Sequence, residues 1–284
     1  MFKYGVNCAL EEVPFQNPVI LRGSIEEIAS TAAEIGYDGL ELFIREPLQY
    51  NPEQLNRAAR NNGLGFASIA SGMEYTKNGL CLISEDASVR KQAVQRLYEH
   101  IDLAKELNCS VIVGIMRGNI PNFEKQDYYL ALLDECFLQL SEYAAKKGVL
   151  LVVEAIMRYI NNYLNSIPDT IQYLDHLNLA NVQIHIDSHH MNVEDLDTDK
   201  AIQLCRGKMG YVHFSDSNRT YPGGGEYDFK KLMNALMDID YTGYVTTECQ
   251  PFPTPYDCAK RGLNYMKALE NALMVERACF KPSL

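Results

Sequence analysis

The chain lacks any C-x-x-C pair. Its eight cysteines (Cys8, Cys81, Cys109, Cys136, Cys205, Cys249, Cys258 and Cys279) are scattered, at spacings that suit neither a zinc knuckle nor a small secreted disulfide framework. Most are therefore expected to be reduced. A basic stripe is also missing: 26 Lys and Arg against 37 Asp and Glu leave a net charge of −11, which opposes the counter-ion release that drives binding to nucleic acid. No stretch approaches the roughly 20 apolar residues that a spanning helix needs. The start, Met1-Phe2-Lys3-Tyr4-Gly5-Val6-Asn7, shows no cationic region followed by a long apolar run. These absences predict a soluble, cytoplasmic protein with neither nucleic acid nor membrane as partner. What is present, 284 residues with 47% hydrophobic and 22% charged, describes an ordinary globular chain that can bury a large core.

Periodicity supplies the architecture. Ile25, Ile28, Ala32 and Ile35 recur at helical spacing behind Ser24-x-x-Glu27, a capping-box pattern, and Gly36 ends the helix. Gly39 to Phe43 is then a short run of strand length, and a helical stretch from Pro52 to about Asn61 follows. The alternation continues to the C-terminal helix expected from about Tyr256, giving eight strands that start near residues 3, 39, 65, 110, 150, 182, 209 and 244. The spacing is that of βαβ units. Apolar strands alternating with amphipathic helices imply a parallel sheet covered by helices. No Gly-x-Gly-x-x-Gly follows the first strand, which favours a closed barrel over a dinucleotide fold. The expectation is an α/β (β/α)₈ TIM barrel, one domain over residues 1–284. The polar, glycine-containing stretch 71–85 exceeds a normal strand-to-helix connection and is expected to form a rim or lid loop, or else a passive surface insertion.

In such a barrel, functional side chains project from the C-terminal ends of strands. Four consecutive strands carry an ionisable residue there: Glu154, Asp187, His213 and Glu248. Each lies about one βα unit after the last, so closure would gather all four on one side of the mouth. Three carboxylates in a partly dry mouth repel one another unless a cation sits among them. Carboxylate oxygens with one imidazole suit Mn²⁺, the preferred choice, or Mg²⁺ and Co²⁺, and tolerate Zn²⁺.

The segments Glu154-Ala155-Ile156-Met157-Arg158-Tyr159, Asp187-Ser188-His189-His190-Met191-Asn192 and His213-Phe214-Ser215-Asp216-Ser217-Asn218-Arg219, with Pro222-Gly223 and Glu248, resemble the xylose isomerase-like sugar epimerases, particularly the D-tagatose/D-psicose 3-epimerases. The N-terminal half resembles them in its strand-helix rhythm and in Gly36-Tyr37-Asp38-Gly39-Leu40-Glu41-Leu42. The resemblance implies that Glu154, Asp187, His213 and Glu248 hold one divalent metal ion. It also implies that Glu154 and Glu248 double as acid and base, and that His190 and Arg219 bind substrate oxygens. The implied reaction is epimerisation of a ketose at C3 by proton abstraction and return through a metal-stabilised enediolate. The implied partner is a small-molecule sugar, and the implied assembly is a homo-oligomer, dimer or tetramer. One position departs from the pattern: Ile160 stands where the family often has a glutamate, which leaves the sugar open. Rival readings are an aldose–ketose isomerase acting on a sugar or sugar phosphate, an inosose-type dehydratase, and a non-catalytic sugar- or metal-binding protein.

Other residues carry weaker signals. His185 should share the inward face of Asp187 as a packing or supporting residue, and His189, of opposite parity, should be structural. Glu41 either orients substrate or metal, or pairs with a neighbouring arginine. Arg117 and Gly118 offer a weak anion site. Gly223-Gly224-Gly225 lacks the Lys-Ser/Thr ending of a phosphate loop and is read as a turn beside the site. Cys249 lacks a base partner and is read as packing.

Overall fold

Parallel strands follow one another around an axis: β1 (Lys3–Ala9), β2 (Leu21–Arg22), β3 (Gly39–Phe43), β4 (Gly65–Ala70), β5 (Ser110–Val113), β6 (Leu151–Glu154), β7 (Val182–Asp187), β8 (Met209–Phe214) and β9 (Tyr244–Thr247). The computed structural model describes residues 1–14 and 16–279; residues 15 and 280–284 of the expected 1–284 domain lie outside the described residues. β1 pairs with β3, each strand from β3 to β8 pairs with the next, and β1 also pairs with β9, from Lys3 opposite Tyr244 to Val6 opposite Thr247. The sheet is thereby closed into the expected barrel. The two-residue β2 adds to β1 at its C-terminal end, Cys8 opposite Leu21.

Helices cover the outside, and local sequence explains their ends. Ser24 caps helix Ile25–Ile35 in a reciprocal capping box with Glu27, and Gly36 closes it at φ 101°, a left-handed conformation that glycine adopts freely. Ser166 caps helix Ile167–Leu177 by accepting from the Asp169 N–H, with Pro168 in its first turn. The main apolar core lies between barrel and helices, as strand residues such as Val6, Leu40, Leu42, Val111 and Val153 meet helix residues such as Ile28, Leu97 and Phe137.

The barrel interior follows the period of two. At its N-terminal end the Tyr244 ring needs the space left by Gly39 and Gly65, where an added Cβ would lie 2.7 and 2.9 Å from it. Ala67, Ala70, Ile112, Val152 and Tyr211 form a small inner cluster above it. Two residues further along each strand the filling is ionisable: Glu154 follows Val152, His213 follows Tyr211, Asp187 follows His185, and Glu248 follows Thr246. The rigid, filled floor thus carries a layer of ionisable groups at the mouth.

The stretch 71–85 holds a short helix, Met73–Asn78, and its Leu80, Leu82 and Ile83 are buried.

Candidate active site

A cavity of about 370 Å³ opens at the C-terminal ends of the strands. Glu154, His190, His213, Arg219 and Glu248 line one side; Phe43, Met73, Ile112, Ile115, Ile156 and Ile160 give the other side an apolar character. Pro14, Asn17 and Pro18 reach it from the β1–β2 connection, and Gly72, Thr76 and Lys77 from the 71–85 stretch.

The polar side is a chain of buried charges. His213 Nε2 lies 2.6 Å from Glu41 Oε2, and its Nδ1 lies 3.4 Å from Glu248 Oε2. Burial acts against charging His213, yet Glu41 and Glu248 raise its pKa well above the usual value. Burial pushes the Glu41 carboxyl up. Of the two readings of Glu41, no arginine ion pair occurs among the described residues; its carboxylate pairs with the His213 imidazole. His185 meets His213 edge to face at 4.2 Å between ring centres, and burial drives its pKa well down.

Asp187 acts in two directions. Its Oδ1 caps the short helix Ser188–Glu194 by accepting from the His189 N–H at 2.8 Å, which leaves Oδ2 for the ion pair with Arg219. Arg219 also pairs with Glu248, so one guanidinium spans two of the expected ligands. Burial would raise the Asp187 carboxyl, but Arg219 and His190 hold it well below the usual carboxylate range. Burial likewise opposes charge on Arg219, and Asp187 with Glu248 overcomes it and raises its pKa.

Arg219 sits at φ 61° in a loop organised by Asp216, whose carboxylate accepts from the N–H groups of Ser217, Gly223 and Tyr227. Gly223 has φ 89°, and a Cβ on Gly225 would lie 2.4 Å from Asp216 Oδ1. These glycines turn the chain beside the site. His190, on the capped helix, places Nε2 3.6 Å from Glu154 Oε1 and 3.9 Å from Asp187 Oδ2. His189 turns away, its Nδ1 3.1 Å from the Asp216 carbonyl.

Three overlapping clusters could hold a metal ion: Glu154 with His185 and His213, Glu41 with His213 and Glu248, and Glu154 with Asp187 and His190. Glu154, Asp187, His213 and Glu248 are distributed over these clusters, and the Arg219 guanidinium stands between Asp187 and Glu248. Glu41 Oε1, His213 Nδ1, His190 Nδ1 and both His185 nitrogens are buried without a hydrogen-bond partner. Unpaired buried polar atoms of this kind are costly. Together with carboxylates and imidazole in place of thiolates, they fit a divalent cation.

One sequence expectation is corrected, and one residue near the site is not foreshadowed by the sequence. Arg117 is no anion site: it is fully buried and donates to main-chain carbonyls, including that of Glu154 at 2.7 Å. Gly114, unmarked by any motif, lies so close to the site that a Cβ there would be 2.5 Å from Glu154 Oε2. Cys249 is buried in packing, with Sγ 3.3 Å from Cys258 Sγ, and all eight cysteines are free. No described helix is long and apolar enough to cross a membrane.

A family model described as xylose isomerase-like TIM barrel matches residues 29–269. A D-psicose 3-epimerase of Enterocloster bolteae is 32% identical over 226 residues, 75% of this chain and 73% of the relative. An L-ribulose 3-epimerase of Methylomonas sp. is 29% identical over 223 residues, 76% of this chain and 75% of the relative. Among solved structures, D-allulose 3-epimerase from Methylomonas sp. in complex with D-allulose superposes with a TM-score of 0.81 at 23% identity, covering 94% of this chain and 96% of that one. That last likeness speaks for the fold alone.

Proposed function

We propose what this chain does from the family it belongs to: it is a member of the xylose isomerase-like TIM barrel family, and its reaction is the metal-dependent epimerisation of a ketose, or ketose derivative, at C3. The similarity to enzymes named as ketose 3-epimerases supports the reaction class. The observation that carries the reading is the convergence of Glu154 and Glu248 on one cavity from β6 and β9, which stand three places apart in the barrel order.

Inversion at a carbon next to a carbonyl requires removal of a proton from one face and delivery on the other. Glu154 and Glu248 are the pair for this task, one accepting the C3 proton while the other donates, with roles exchanged in the reverse direction. Glu154, Asp187, His213 and Glu248 would hold the divalent ion, Mn²⁺ in this reading. Bound there, the ion supplies Lewis-acid polarisation of the ketose carbonyl and offsets negative charge developing on substrate oxygens. His190 donates to a substrate oxygen. Arg219 offers a planar multi-donor fork to another, and its two carboxylate partners fix its direction. Glu41 anchors His213 through Nε2 and so sets which imidazole nitrogen faces the cavity, the usual task of a carboxylate behind a ligand histidine. The apolar wall with Ile156 and Ile160 limits water access. We place the enzyme in the cytoplasm as a homo-oligomer, which light scattering would check.

The test is incubation of Mn²⁺-loaded protein in deuterated water with a panel of free ketoses, ketose phosphates and sugar acids, with label position read by NMR. Label at C3 together with the epimeric product is expected. Label at C1 or C2 with aldose formation identifies an isomerase instead, and loss of one water identifies a dehydratase. Glu154→Gln and Glu248→Gln should each lower C3 exchange by at least about a hundredfold, the scale of a general acid–base contribution, while the ketose still binds. Full turnover in either variant contradicts the two-carboxylate mechanism.

A further inference from the structure

Arg117 is a fully buried cation that the proposed reaction leaves unused. It closes the turn 114–118 after β5, and its guanidinium donates to four main-chain carbonyls: Glu154 at 2.7 Å, Gly114 at 3.2 Å, Leu164 at 3.3 Å and Tyr163 at 3.4 Å. The Tyr163 ring lies 5.5 Å from the guanidinium carbon, and the Tyr163 hydroxyl donates back to the Arg117 carbonyl at 3.1 Å. Among the described residues Arg117 forms no ion pair, and its Nε has no hydrogen-bond partner. Desolvating a guanidinium without a paired anion is unfavourable, so a mere cross-link between loops would be more cheaply made by a neutral amide.

Its shortest bond shows where it acts. Glu154 is held twice by the same turn, because Gly114 leaves the room that the Glu154 carboxylate fills while Arg117 grips the Glu154 carbonyl. The bonds to Tyr163 and Leu164 bring the far end of the segment after Glu154 back to the same guanidinium. That segment carries Ile156 and Ile160 of the cavity wall, and Leu164 adopts φ 52° at its return. A single side chain therefore ties strand end, turn and wall into one unit.

We infer that Arg117 is a positioning residue: it clamps the Glu154 main chain so that the carboxylate points at the cation and at the reacting carbon. Its catalytic consequence rests on the epimerase reading; its effect on cation binding does not. The experiment compares full-length wild type, Arg117→Met and Arg117→Lys in two ways. Mn²⁺ affinity is measured without substrate from the electron paramagnetic resonance signal of the free ion, and kcat and KM are measured on whichever ketose the wild type epimerises. Loss of a residue that orients a ligand costs about 10–100-fold in metal affinity or activity. Arg117→Met is expected to bind Mn²⁺ more weakly and to lose kcat on that scale, with KM changed less than about threefold, and Arg117→Lys to recover part of both. A variant with wild-type Mn²⁺ affinity and kcat, altered only in melting temperature, overturns the inference. Should Arg117→Met fail to fold, Arg117→Lys decides by the same two measurements. If the wild type acts on no ketose, the epimerase reading falls while the Mn²⁺ titration still tests Arg117.

Discussion

Asp195 sits after the short helix that carries His190, and its Oδ1 accepts from the Ile167 N–H at 3.1 Å. Burial pushes its carboxyl up to about 6, above the roughly 3.9 of an unfolded chain. A raised acid favours the native state while it is protonated, so its contribution is complete below about pH 4 and is lost as pH rises through 6. Asp195→Asn keeps an acceptor for Ile167 and removes the buried charge. It should stabilise the protein by about 1–2 kcal/mol at pH 8, discounted for partial exposure, and give no gain at pH 4; urea unfolding at the two pH values checks this. Legibility also differs residue by residue. Glu154, Asp187, His213 and Glu248 could be singled out because each closes a recognisable apolar run. The partner of Glu41 could not, since His213 is 172 residues away and nothing local encodes that pairing. Arg117 reads as a loop cation next to a glycine; only the fold of its turn buries it.

Elements long enough to show a period were legible, and short ones were not. Strand starts at 3, 39, 65, 110, 182, 209 and 244 agree with the sequence expectation, and the fifth expected strand, near 150, begins at Leu151 as β6. The two residues of β2 and the seven of helix Ser188–Glu194 are too few to carry a distinctive apolar stripe. The helix matters to the proposed site all the same, since Asp187 caps it and His190 lies on it. The floor of the barrel makes a prediction at this scale. Gly39→Ala would set a Cβ 2.7 Å from the Tyr244 ring, and overpacking of this kind costs about 1–3 kcal/mol. The variant should unfold at lower temperature yet keep the Mn²⁺ affinity of the wild type, because the ionisable layer lies at the opposite end. Weakened Mn²⁺ binding would show that floor and mouth are mechanically coupled.

Across the whole molecule, the acids at the mouth contribute to a net charge of −11, and a divalent ion held there would offset local repulsion among them. An ion that binds only the folded barrel stabilises it by about 2.7 kcal/mol at a hundredfold excess over Kd. For a chain of this size that is a rise of roughly 5 °C in Tm, reversed by chelator and visible by calorimetry; an unchanged Tm would count against the site. The seam between β1 and β9 sets the order of events in the cell. On the ribosome the first strand emerges hundreds of residues ahead of its second neighbour, so one flank of the growing sheet stays open until β9 has emerged. Prematurely released chains would carry that raw flank as an adhesive edge, making translation past residue 247 the step that separates a self-contained product from one that needs a chaperone.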